Sequence, residues 1–414
     1  MTNCPHLFVA LPVMDEPELL PFTLDAISSQ NFTDFTVVIC VNQPDEWWDL
    51  EEKLPTCLRN RETLEFLQRD HGFKVLVLDR SSRGQGWKRR SHGVGWARKT
   101  LMDSIVSIAH PQDIILSLDA DTVFPPTYFE SVIETLTGNP GSVALAVPYY
   151  HHLPDDPITA RAILRYEIYM RHYVLNLWRI GSPYSFTALG SAMAFPVWAY
   201  RAVGGITPKL SGEDFYFLQK LRKFGDLHYW NGVKVHPAAR DSSRVYFGTG
   251  PAMIRGAGGN WSSYPIYPYP FFDEIGESCT LFPEMFRQTR MTPVTRFLSE
   301  VTGDPDPFAS LRKNSRDRDQ FVRACHEKFD GLRILQYLKQ QQKKRKNSDE
   351  ENFVAWLEKF HPGMKEKLVP AGKLSFEKSA IQTLNRIRDF LTVLEDGCRI
   401  SSGRGSPGQP LPAG

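Results

Sequence analysis

None of the 414 residues falls in an uninterrupted apolar run of the length, about eighteen residues, that a membrane-spanning helix requires. The opening residues lead straight into Leu7-Phe8-Val9-Ala10-Leu11, without a basic region or a small-residue cleavage site, so no secretory leader is expected. Six cysteines (4, 40, 57, 279, 325 and 398) include no Cys-x-x-Cys pair and no zinc-like spacing. That argues against a disulfide framework or a structural zinc and for a reduced, cytoplasmic protein. Excess charge is missing too: 49 Lys and Arg stand against 47 Asp and Glu. A nucleic-acid partner is therefore not expected, because no strong positive field is available to draw in phosphates. No internal repeat is present, and no Gly-x-x-x-x-Gly-Lys-Ser/Thr loop for nucleoside triphosphates.

What remains is a globular composition, 42% apolar and 23% charged, long enough for two or three domains. Through the first half, strand-like runs (Leu7–Val13, Thr36–Val41, Lys74–Leu78, Asp113–Leu118, Val143–Val147) alternate with helical ones (Glu18–Gln30, Trp96–Ala109). This order predicts an α/β fold with a mostly parallel, Rossmann-like sheet covered on both faces. An aromatic-rich helical stretch follows over Ala160–Ile180, then a helix over Asp214–Phe224 and a short strand at Lys234–Val235. The expected divisions are an α/β domain over 1–260, a connector and helical region over 261–400, and a disordered tail over 401–414. Within the second, Tyr264–Phe272 reads as a connector and Lys339–Asn347 as a solvated linker. Ile381, Leu384, Ile387, Leu391 and Leu394 form an apolar helical seam.

The chemistry collects in loops. Asp119 and Asp121 follow the apolar run Ile114-Ile115-Leu116, outside the carboxyl end of a strand, where open α/β sheets bind ligands. Two carboxylates there suit Mg²⁺ or Mn²⁺ shared with substrate phosphates; the plainer alternative is a turn that caps the next helix. After the first strand come Pro12, Val13 and Glu16, with proline ending the strand and polar groups placed to meet a nucleotide. Basic residues accompany glycines in Arg83–Arg90 and Gly93–Lys99, and Arg98, just inside a helix, is the better candidate for a phosphate. Glu213 and Asp214 open a helix after Ser211-Gly212, as N-terminal acids or as a general base. His236 follows a strand, with Arg240 and Arg244 behind it; a neutral imidazole suits a metal and guanidiniums suit phosphate.

In their order along the chain, these features resemble the family 2 nucleotide-sugar glycosyltransferases with the GT-A fold. Leu7–Glu16, Gly93–Lys99, Leu118–Asp121, Gly190–Phe195, Val203–Ile206 and Gly212–Asp214 carry the resemblance, over about residues 5–250. It implies a GT-A domain with an appended C-terminal helical region, and a metal-dependent hexosyltransferase acting on a nucleotide-diphosphate sugar. By the same resemblance Asp119, Ala120 and Asp121 meet the nucleotide sugar, Asp119 and Asp121 meet the metal, and Asp214, with Glu213 beside it, supplies the base. Pro12, Val13, Glu16, Asn42, Arg98, Arg240 and Arg244 complete the expected donor contacts, with His236 as a further metal ligand. The expected acceptor is a saccharide, a lipid-linked molecule or a small molecule. A lipid-linked one would bring the protein to the inner face of a membrane as a peripheral visitor. Two features depart from the family pattern: Asn42 stands where an Asp often contacts the base, and the helices after residue 277 match nothing general. Those helices are expected to serve homo-oligomerisation or acceptor binding.

Inversion at the anomeric carbon is the expected outcome, with a retaining GT-A enzyme as the alternative, since some pair Asp-x-Asp with a downstream His. A sugar-phosphate nucleotidyltransferase would need a glycine-rich loop after the first strand, and Leu11–Glu16 has no glycine. A non-catalytic scaffold would have no use for both acidic pairs.

Overall fold

A computed structural model describes residues 4–88, 92–210, 212–240, 249–344, 347–369 and 373–402. The chain forms two compact units, one of residues 1–163 and 186–258, the other of 164–185 and 259–414.

The first unit contains β1 (Leu7–Val13), α1 (Leu20–Ser28), β2 (Phe35–Asn42), α2 (Leu54–Phe66), β3 (Val75–Arg80), α3 (Val94–Ile108), β4 (Ile114–Ser117) and β5 (Thr122–Val123). It continues through α4 (Tyr128–Gly138), β6 (Ser142–Ala146) and the start of α5 (Pro157–Arg179). After residue 186 come β7 (Met193–Pro196), α6 (Val197–Ala202), α7 (Glu213–Phe224), β8 (Asp226–His228), β9 (His236–Pro237) and α8 (Thr249–Ala257). Seven strands form one sheet in the order β3-β2-β1-β4-β7-β6-β8. β7 runs antiparallel to both neighbours and the other pairings are parallel. All seven residues of β1 are buried, as a central strand covered on both faces demands.

Parallel strands release their loops on one side. The carboxyl ends of β1, β2 and β4 therefore deliver Asp15-Glu16, Asn42-Gln43 and Asp119–Asp121 to a common edge. β7 is reversed, so the loop that enters it, with Gly190, arrives at that edge too: Ser117 Oγ donates to the Gly190 carbonyl at 2.8 Å. β5 and β9 make a separate two-stranded ribbon, pairing Thr122 with Pro237 and Val123 with His236.

The second unit holds the remainder of α5 with α9 (Tyr269–Thr280), α10 (Phe282–Met285), α11 (Pro293–Thr302), α12 (Ala309–Asn314), α13 (Arg318–Lys328), α14 (Gly331–Gln342), α15 (Asp349–Phe360), α16 (Met364–Leu368) and α17 (Ile381–Ser402). In α17 the expected seam buries Leu384, Ile387 and Leu391, but Arg388, Glu395 and Arg399 are buried beside them. Glu395 accepts from Arg399 at 2.7 Å and from Arg171 of α5 at 2.6 Å, and Arg171 also donates to Glu167 at 2.7 Å. These helices are joined by a buried ionic ladder as well as by an apolar seam.

The α/β class, the mostly parallel sheet and the C-terminal helical region are as the sequence implies. Local expectations need correction. Pro12 does not end β1: it lies within the strand opposite Cys40 of β2, and is tolerated because β4 pairs with β1 only as far as Ala10. The connector expected over Tyr264–Phe272 gives way at Tyr269 to α9, whose proline sits in the first turn, where no N–H is needed. The Lys339–Asn347 linker begins late, because Ile334, Tyr337 and Leu338 bury one face of α14 and carry it to Gln342. The strand expected at Lys234–Val235 lies two residues later, at His236–Pro237, Val235 making only an isolated bridge to Tyr149. Of the expected tail, Ser401 and Ser402 close α17, and 403–414 lie outside the described residues. Among the described residues no helix is long and apolar enough to cross a membrane.

Burial would raise the Glu395 carboxyl, but Arg399 and Arg171 outweigh it and hold the group below the usual range. Its ion pairing should therefore stabilise the fold above about pH 4.5 and be lost as pH falls through the lowered value. Glu395→Gln should cost about 3–5 kcal/mol at neutral pH, as for a broken buried pair. Chemical denaturation at pH 7 and pH 3 should show that the variant lacks this part of the acid loss.

Candidate active site

Arg98 is the centre of the site. It lies in the first turns of α3, just after Gly93, whose φ of 99° only glycine adopts readily. Its side chain is 4% exposed and its guanidinium pairs with two carboxylates, Asp119 after β4 and Glu213 at the start of α7. Gly190 makes room for it: a Cβ there would stand 2.0 Å from Arg98 Nη2. One buried cation thus ties the Asp-x-Asp loop to the Glu-Asp helix start. In this structure Arg98 meets these two carboxylates.

Asp214, next to Glu213, accepts the backbone N–H of Phe215 at 2.7 Å. Burial and the adjacent Glu213 carboxylate push its carboxyl up to about 7, against the pull of Arg98 and that N–H. The N-terminal position in α7 is the ordinary place for acids, yet here one acid is used structurally by Arg98 and the other is poised to exchange a proton near neutrality.

The second acid of the Asp-x-Asp loop has its own guanidinium. Arg240 donates to Asp121 Oδ2 through Nε at 3.0 Å and Nη2 at 2.8 Å, and the same Nη2 also donates to Glu16. The Ala238 N–H donates to the Asp121 carbonyl at 3.0 Å, which keeps the segment between β9 and Arg240 alongside the loop. Glu16 is placed by a turn whose preceding residue, Asp15, has φ 60°, in the left-handed region. Thr56 and Arg59 of α2 donate to the Asp15 carboxylate, and Asn60 accepts its backbone N–H at 2.8 Å. Sequence reading finds Glu16 but misses Asp15, Thr56, Arg59 and Asn60, for no motif links a strand tip to a helix forty residues on.

Other expected residues fall around this core. Pro12, Val13 and Ala120 are buried. Asn42 is buried, donating to the Val13 carbonyl at 2.8 Å and accepting from Trp87 Nε1 at 3.2 Å. His236 takes the Tyr150 carbonyl on Nδ1 at 2.7 Å, which makes Nε2 the lone-pair nitrogen, and its ring stacks on His152 at 4.3 Å. Burial lowers its proton affinity, so it is neutral at pH 7. Arg244, Ser211, Arg89 and Arg90 lie outside the described residues.

Among the described residues, no group of three or more His, Cys, Asp or Glu could hold a metal ion unaided, so Asp119, Asp121 and His236 do not form a ready-made triad. The donor set fits a different kind of site. Mg²⁺ and Mn²⁺ commonly take one or two carboxylates and complete their shell with phosphate oxygens. Asp119 (side chain 37% exposed) and Asp121 offer those carboxylates, and the Arg240 guanidinium shows that this place draws positive charge.

No family model matches the sequence, and no curated protein matches it. Among solved structures the fold is similar to S. aureus TarS 1–349 in complex with UDP-GlcNAc, at 12% identity and a TM-score of 0.40, with 96% of this chain and 92% of that chain covered. The complex of TarS 1–349 with UDP is similar at 10% identity and 0.40, covering 82% and 91%. GalNAc-T7 with UDP, GalNAc and Mn²⁺ is similar at 12% and 0.38, covering 78% and 56%. Likenesses this loose assign no residue a role.

Asp214 holds its proton more tightly in the fold than in the open chain, so the ionised group weakens the native state as pH rises from about 4 through about 7. Asp214→Asn should accordingly raise the melting temperature at pH 8 and leave it nearly unchanged at pH 4, as read by calorimetry.

Proposed function

We propose that this protein is a nucleotide-sugar glycosyltransferase of the GT-A, family 2 type, moving a hexosyl group from a nucleotide-diphosphate sugar to an acceptor hydroxyl with inversion. The observation that carries this reading is the single buried Arg98, which joins a donor-side acid, Asp119, to the helix start that bears an acceptor-side acid, Asp214.

In this reading Asp214 removes the acceptor proton. A base with a proton affinity near the working pH combines a useful ionised fraction with real basicity, and Asp214 at about 7 meets that condition. Glu213 stays on Arg98 and keeps the Asp214 backbone in place. Asp119 and Asp121, at the end of β4, face the donor diphosphate, with Arg240 beside them to pair with phosphate oxygens. Mn²⁺ or Mg²⁺, held by Asp121 and Asp119, would supply Lewis-acid neutralisation of the departing diphosphate. Asp-x-Asp as a mere turn former does not account for two carboxylates each matched by a guanidinium from a distant element.

A thermal-shift screen of UDP-, GDP- and CDP-sugars, with and without Mn²⁺, tests the donor, because a ligand that binds only the native state raises its melting point. At least one sugar nucleotide should stabilise the protein more with Mn²⁺ than without; no shift with any would contradict the reading. With the donor known, kcat should fall tenfold per pH unit below about 7 and level off above, since the ionised carboxylate is the active form. Asp214→Asn should lower kcat by about 10²–10⁴-fold with little change in donor affinity, in keeping with loss of a general base. Anomeric NMR of the product checks inversion.

A further inference from the structure

In the glycine-rich loop Arg83–Lys88 the arginine is turned to Asp49, at 2.8 Å, and to the Trp48 carbonyl, at 3.0 Å. The residue this loop brings to the ligand edge of the sheet is Trp87. Its backbone N–H donates to the Gln43 carbonyl at 2.8 Å, and its carbonyl accepts the Asp45 N–H at 2.9 Å, so it runs beside the segment leaving β2. Gly86 permits this approach, for a Cβ there would stand 2.7 Å from the Asp45 backbone. The indole Nε1 donates to Asn42 Oδ1 at 3.2 Å, and the Asn42 amide nitrogen donates to the carbonyl of Val13, the last residue of β1, at 2.8 Å. Arg80, which ends β3 opposite Asn42, holds its guanidinium 5.8 Å from the indole centroid. An aromatic ring, half-buried, is thus fixed at the carboxyl ends of β1, β2 and β3, on the edge that also carries Glu16 and the Asp-x-Asp loop. Asn42 is the expected base contact, yet it is 3% exposed and spends its amide oxygen on Trp87 and its amide nitrogen on Val13. The group that this cluster presents at the edge is the indole, and a flat heterocycle stacks well on such a ring.

We propose that Trp87 is the platform on which the base of a nucleotide stacks, and that Asn42 is a positioning residue that holds the indole instead of reading the base itself. The glycine-rich loop then serves the base end of the ligand through its tryptophan, and the phosphate end belongs to other residues. That the ligand is a nucleotide rests on the glycosyltransferase reading. The pinning of Trp87 by Asn42, Gln43 and Asp45 does not.

The test titrates the full-length protein with UDP, GDP, CDP and inorganic pyrophosphate, each with Mn²⁺, in an isothermal calorimeter. Pyrophosphate carries the two phosphates without a base, so it separates lost stacking from general damage to the site. Trp87→Ala should weaken the tightest nucleoside diphosphate by about tenfold or more, the size of one base–aromatic stack, and leave pyrophosphate unchanged. Trp87→Phe keeps a ring and should stay close to the parent. Asn42→Ala should weaken the same nucleoside diphosphate and add nothing when combined with Trp87→Ala. Circular dichroism confirms that each variant is folded; Trp87→Leu, which keeps apolar bulk without a ring, should lose as much and still reports if Trp87→Ala does not fold. The proposal is overturned if the Ala or Leu variant binds the nucleoside diphosphate as well as the parent, if pyrophosphate weakens in step, if Trp87→Phe loses as much as they do, or if Asn42→Ala adds a further loss to Trp87→Ala. A parent protein that binds a nucleoside diphosphate without regard to Trp87 overturns this proposal alone. One that binds none overturns it together with the glycosyltransferase reading.

Discussion

A guanidinium with 4% of its side chain exposed must find its counter-charges inside the protein, and Arg98 finds them on two elements that meet nowhere else in sequence. Removing water from a charge costs several kcal/mol even after relaxation, so an unpaired Arg98 would not be tolerated. The pairing therefore dictates where the β4 loop and the α7 start must lie, to within hydrogen-bond tolerance. Gly190 follows from the same demand, since any side chain there would occupy the guanidinium's place. The state of Asp214 has a different cause: burial and the neighbouring Glu213 carboxylate raise its proton affinity, and Arg98 opposes them.

The second unit uses the same device for a different end. Glu167, Arg171, Glu395 and Arg399 connect α5 and α17 through buried ion pairs. Apolar seams of leucine and isoleucine allow a helix to slide or rotate at modest cost, whereas charges that lose their partners in a dry interface do not. The ladder thus sets the register of two long helices against each other. In the first unit the ionic network holds the candidate site; in the second it holds an arrangement of helices.

Strand runs and the two acidic pairs were legible in the sequence because they depend on local pattern. Ile114-Ile115-Leu116 announces a buried strand, and the acidic pair stands at its carboxyl end. Long-range partnerships were not legible in the same way. Arg98 can be placed on a helix by periodicity, but nothing in its neighbours says that it will meet Glu213, 115 residues on. The left-handed backbone of Asp15 is equally silent, because a non-glycine residue at positive φ carries no sequence mark. Pro12 is a misleading mark, because proline is normally kept out of central strands and nothing local shows that β4 stops pairing with β1 at Ala10. In α17 the apolar residues mark the helix and give no sign that Arg388, Glu395 and Arg399 share its buried face.

The central claim is that Asp119 and the helix start tied to it by Arg98, which bears Asp214, face one donor and one acceptor. A crystal structure with Mn²⁺ and the sugar nucleotide that most stabilises the protein tests it most directly. The account predicts the diphosphate against Asp121 and Arg240, with the Asp214 carboxylate opposite the leaving group across the sugar. A donor bound away from the β4 loop, or a sugar turned from Asp214, would contradict it.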